Sequence, residues 1–222
     1  DGRMSAKQEL ILHICPEEHS IRVENVCDGV TAFKEIALET FYDCVKHSIR
    51  HEGIRSGFLP QNCFHVSVNE NGDRHFCLWH PHLHADISYF GTEYPNFPLP
   101  RLVFGFRVSR EGKVCDCRMG VVEDKPPTED SAMFVYPFSN VGGFHLCTGN
   151  NVLPVYKKTS ALVNLPGYLL QLPNNNDSFN PKNNKLHMPY RELLNHLRNK
   201  DPAYYYTDVL IPSGKTLKDF IE

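Results

Sequence analysis

The chain has 222 residues, of which 41% are hydrophobic and 22% charged, with 14 Phe, which is the balance of a folded protein with a sizeable core and excludes a disordered one. A net charge of −3 leaves no basic footprint, so no nucleic-acid partner is expected. No window approaches the roughly 18 consecutive apolar residues of a membrane span, and "DGRMSAKQEL" lacks the apolar run of a signal peptide, so the expectation is a cytoplasmic protein with no membrane partner.

The eight cysteines (Cys15, Cys27, Cys44, Cys63, Cys77, Cys115, Cys117 and Cys147) are expected as reduced thiols, because the chain is not a short secreted one and most of them sit in apolar runs. In chain order, "ELILHICPEEHSIRVENV" reads as two short strands around a polar turn at Pro16 to Ser20. From Asp28 to Arg50, Val30, Phe33, Ala37, Phe41, Cys44 and Val45 recur at three- and four-residue steps. That spacing predicts a long helix with Asp28 as N-cap and Gly53 past its end. "CFHVSV" and "HFCLWH" flank the turn "NENGD" and form a hairpin, "HADISYF" is expected as a third strand, and "LVFGFRV" and "VCDCRMGVV" form another hairpin across "SREGK". The first half thus reads as a helix followed by an antiparallel meander.

After the polar break "EDKPPTED", "KKTSALVNLPGYLLQLPNNN" predicts a helix interrupted near Pro166 or two short helical pieces, since proline removes a backbone donor. "NNNDSFNPKNN" is expected to be a mobile loop, "PYRELLNHLRNK" a helix with Pro189 in its first turn, and "VLIPSGKTLKDFIE" is weakly determined.

The chemistry centres on "YPFSNVGGFHLCTGNN". Gly142, Gly143 and Gly149 give backbone freedom around Cys147, Asn140 adds a neutral amide donor, and no Asp or Glu lies between residues 131 and 176. An open loop of this kind suits a reacting thiol, whereas a structural cysteine needs only an apolar pocket. A competing signal is "HPHLH": on an extended strand His80, His82 and His84 would share a face about 6 to 7 Å apart, and two imidazoles with a third ligand hold zinc. Cys115 and Cys117 read as a core-facing pair on a strand. The chain has no Gly-x-Ser-x-Gly elbow and no Walker-type or dinucleotide glycine loop.

The order of these elements resembles the ubiquitin-conjugating-enzyme fold. Tyr94, Pro95, Pro98 and Pro100 match its Tyr-Pro-x-x-Pro-Pro segment with one residue of slack. Pro137 and Asn140 resemble its His-Pro-Asn turn, and Gly143 precedes Cys147 as the family's glycine precedes its catalytic cysteine. The family's histidine is replaced by Tyr136 or Phe138, and the interval from Phe104 to Asn140 carries an extra strand. With "PLPRLVFGFRV", those departures are similar to prokaryotic ubiquitin-conjugating-enzyme family D, a group that includes PRTRC system protein B.

The resemblance implies an α+β fold, with a long N-terminal helix packed on an antiparallel meander, a catalytic-loop region and C-terminal helices. Its extent is one domain over 5–222, with a core at about 28–173 and an elaborated segment over 174–222. It implies a bacterial carrier that accepts a ubiquitin-like protein from a ThiF-like activating enzyme as a Cys147 thioester and passes it to a target, in systems that also encode a JAB-type peptidase. Asn140 would donate to the oxyanion or fix the loop, and Asp177 would help to deprotonate the acceptor amine. The activating enzyme would dock on the Asp28 to Arg50 helix, at Lys34, Glu35, Asp43 and Lys46. No cofactor and no metal are implied. The alternatives are an inactive module that binds a ubiquitin-like partner, and a zinc protein using His80, His82 and His84.

Overall fold

The computed structural model describes residues 8–14, 17, 19–27, 29–48 and 57–222. The chain divides into two compact units, Asp1–Arg55 and Ser56–Glu222, where the sequence suggests one domain over 5–222.

In the first unit, β1 (Gln8–Ile14), β2 (Ser20–Cys27) and β3 (Val30–Ala37) form an antiparallel sheet in that order, followed by α1 (Leu38–Ser48). The two strands expected before residue 27 are present. The long helix is not: its first half is β3, and only the 11 residues of α1 are helical. The expected N-cap Asp28 and the end at Arg50 and Gly53 lie outside the described residues. The cause is the "DG" pair. Cys27 pairs with Val30 across a two-residue turn in which Gly29 has φ +81°, so the chain reverses where a helix would have had to begin. The β-branched Val30, Thr31 and Ile36 then favour the strand.

The second unit is built on an antiparallel sheet. Its strands β4 (Cys63–Val68), β5 (Arg74–Trp79), β8 (Leu102–Val108) and β9 (Val114–Val122) form the expected meander, and β6 (His84–Tyr89) and β7 (Thr92–Pro98) leave it as a separate two-stranded ribbon. "HADISYF" is therefore a strand but not the third of the main sheet. Beyond β9 come β10 (Ala132–Phe134), the short pair β11 (Val141–Gly142) and β12 (His145–Leu146), and β13 (Pro212–Thr216), which pairs with β10. A 3-10 turn (Thr159–Asn164) runs into α2 (Leu165–Leu170) with Pro166 in its first turn; α3 (Tyr190–Leu197) and α4 (Leu217–Ile221) complete the unit.

Strand alternation gives the sheet two apolar faces. Phe76, Leu78, Phe104 and Phe106 belong to one buried cluster with Leu165 of α2 and Leu193 of α3. Their neighbours Cys77 and Val103 face the other way and cluster with Leu217 and Phe220 of α4.

Cys115 and Cys117 do not form a core-facing pair: Cys117 is buried and Cys115 exposed. The pairing of β8 and β9 slips between Arg107↔Asp116 and Val108↔Val114, so Cys115 is the extra residue of a bulge. Burial pushes the Cys77 and Cys117 thiols up to about 12, which keeps both protonated and inert.

Candidate functional site: the Cys147 cleft

The site begins with a tight turn. Val141 pairs with Leu146 and Gly142 with His145, leaving Gly143 and Phe144 as a two-residue loop; Gly143, at φ +64°, takes the first position of a type II′ turn. One position further out, the Cys147 N–H donates to the Asn140 carbonyl at 2.8 Å, and the Asn140 N–H donates to the Asp177 carbonyl at 2.7 Å. The structure thus brings Cys147, Asn140 and Asp177 together, and it does so through their main chains. Asn140 has φ +66°, a left-handed conformation that Asn tolerates better than most residues.

Their side chains go to different places. Cys147 is exposed and lines an open cleft of about 500 Å³, together with Asp116, His145, Val152 and Val155. Asn140 lines a smaller cavity behind the hairpin, next to Ser139, Tyr136 and Leu146. The Asp177 carboxylate accepts from Asn175 Nδ2 at 2.9 Å on the exposed loop and does not line the cleft.

The Asn-rich stretch is tied down rather than loose. Asn174 N donates to the Ser88 carbonyl at 2.9 Å and Tyr89 OH donates to Asn176 Oδ1 at 2.7 Å. Ser139 Oγ lies within hydrogen-bond distance of Asn174 Oδ1 (3.1 Å) and of Tyr190 OH (3.2 Å), its single proton serving one of them. The Tyr190 ring stacks on Phe179 at 4.5 Å, and burial pushes its hydroxyl up to about 12, so it stays protonated. This partly buried network ties the segments on both sides of the Asn140 to Asp177 contact.

A second pair of residues in the cleft is not apparent from the sequence motifs. β12 pairs with β9 at His145↔Arg118, which puts Asp116, two residues along β9, on the same face as His145. His145 Nδ1 lies 3.2 Å from Asp116 Oδ1. The contact turns the Nδ1 side of the ring towards the carboxylate and leaves Nε2 on the side away from it. His145 and Cys147 flank the buried Leu146, and both line the cleft. The "HLC" spacing was the one available signal; the carboxylate is supplied by a distant strand.

The histidine cluster does not form a shared face. β5 ends at Trp79 and β6 starts at His84, so no strand runs through Pro81. His80 is only 6% exposed, packed edge-on against Phe104, and burial, with help from His82 and Arg101, draws its pKa down to about 4. Among the described residues, no three His, Cys, Asp or Glu are grouped to hold a metal ion.

The expected docking positions also separate. Lys34 and Glu35 lie on β3, where Glu35 accepts from Ser20 Oγ at 2.7 Å, while Asp43 and Lys46 lie on α1.

Compared with known proteins, the chain matches no family model, no curated protein and no solved structure. Among the described residues, no helix is long and apolar enough to cross a membrane. What stands is an α+β protein with mostly antiparallel sheets and an exposed thiol in an open cleft.

Proposed function

We propose that this chain is a bacterial ubiquitin-conjugating-enzyme-like carrier that acts in the cytoplasm. It takes a ubiquitin-like protein from a ThiF-like activating enzyme as a thioester on Cys147 and passes it to an acceptor. The observation that supports this is the placement of an exposed thiol at the end of a hairpin whose main chain is pinned through Asn140 and Asp177. A carrier of a whole folded protein needs an open cleft and a rigid sulfur, because the incoming carbonyl must meet the nucleophile in a fixed geometry. Val152, 88% exposed, and Val155 give that cleft an apolar rim suited to an extended glycine-ended tail.

In the loading step the Cys147 thiolate attacks the thioester carbonyl carbon of the donor. A new C–S bond forms, the old one breaks, and the donor's cysteine leaves as thiolate. Of the two roles implied for Asn140, fixing the loop has the support of its main-chain bonds. Asp177 contributes its carbonyl to the same end.

The test is intact-protein mass spectrometry of the chain mixed with ATP, a candidate ThiF-like enzyme and its ubiquitin-like protein. The expected product is a single adduct that dithiothreitol removes, that is absent in Cys147→Ala, and that becomes a reductant-resistant oxyester in Cys147→Ser. An adduct that survives in Cys147→Ala would contradict the proposal. Binding without any adduct would point to a module that only holds the partner.

A further inference from the structure

We propose that His145 is the base of the transfer step, its Nε2 taking the proton of an acceptor amine as that amine attacks the Cys147 thioester, with Asp116 as the positioning residue that holds the imidazole. This rests on the carrier reading for its substrate and on the cleft alone for its geometry.

An attacking amine becomes positively charged as its N–C bond forms, and it must lose a proton before the C–S bond can break productively. A base within reach of the sulfur is therefore required. The implied helper, Asp177, turns its carboxylate to Asn175. His145, Asp116 and Lys113 share the cleft with Cys147, and of these the imidazole is the group whose ordinary pKa suits a base near pH 7. His145 lines the same cleft as Cys147 two residues away in sequence, and its side chain is 69% exposed, so an acceptor can reach it.

The other charged groups around it are accounted for. Arg118, opposite His145 on β9, lays its guanidinium over Phe144 at 5.6 Å and Phe220 at 5.1 Å. Lys215 of β13 sits 5.0 Å from the Phe144 ring, and Lys113 lines the cleft two residues before exposed Cys115. Asp116 is thus the carboxylate that meets the imidazole. Its contact on the Nδ1 side orients the ring so that Nε2 is the nitrogen turned away from the carboxylate.

The step balances without a further reactant. The amine nitrogen bonds to the acyl carbon, the C–S bond breaks, Cys147 leaves as thiolate, and the amine proton rests on His145 Nε2 before passing to solvent. Asp116 keeps its charge throughout.

The experiment uses the full chain and a peptide ending in Gly-Gly as its mercaptoethanesulfonate thioester, which should load Cys147 without any partner protein, peptide mapping separating it from label on exposed Cys27, Cys44 or Cys115. After the excess donor is removed, free lysine is added and the loaded species is followed by intact mass, so the extent of loading drops out. We expect discharge to slow about 100-fold in His145→Ala, the lower end of what a positioned base contributes, and added imidazole to restore part of the rate. Asp116→Asn should slow it too, because an amide can bond the imidazole in the wrong tautomer, and Asp116→Glu should recover it. Discharge at the wild-type rate in His145→Ala, or a slow rate that imidazole does not move, would overturn the step alone. A wild-type chain that never loads would overturn the carrier reading and this step with it.

Discussion

His80 shows what a buried imidazole does to stability. Its folded pKa of about 4 lies below the ordinary histidine value near 6.5 because burial disfavours the charged ring, so the unfolded chain takes up the proton first. Its neutral form is therefore compatible with the fold at pH 7, and stability is lost as pH falls from about 6.5 towards 4, by up to about 3 kcal/mol. In urea unfolding at pH 7 and pH 4.5, His80→Gln should flatten that dependence; an unchanged slope would show that other groups carry it. Cys147, by contrast, was legible as an accessible thiol because the glycines around it are those of a turn. His145 was not, because its partner Asp116 arrives only through the register of β12 on β9.

Among the elements, the hairpin of β11 and β12 decides how the thiol is presented, and Asn140 enters it in a left-handed conformation. If Asn140 acts through its main chain, Asn140→Gly should load near the wild-type rate. Asn140→Val, whose branched side chain is strained there by about 1–2 kcal/mol, should load poorly and lower the unfolding temperature. Equal losses in both would instead assign the work to the carboxamide.

The meander, the α3 helix and the two helical pieces around Pro166 were legible from period and punctuation. The spacing of Phe33, Ala37 and Phe41 mimics a helix across the junction of β3 and α1, and the reversal at Gly29 is not distinguishable from a helix start in sequence. The bulge at Cys115 left no local mark, since bulges are fixed by the partner strand.

At the scale of the whole chain, the second unit buries its own cores on both faces of its sheet, and all the residues of the Cys147 cleft belong to it. The antiparallel meander expected from the sequence is present in the second unit. The expected long first helix is absent, its place holding β3 and the short α1. Exposed thiols occur elsewhere, at Cys27, Cys44 and Cys115, so reactivity alone does not single out a carrier.

The most direct measurement is to map, by peptide mass spectrometry, which cysteine of the full chain receives the acyl group from the Gly-Gly peptide thioester. The account expects the label predominantly on Cys147. Label spread evenly over the exposed cysteines, or concentrated on Cys115 across the same cleft, would contradict it.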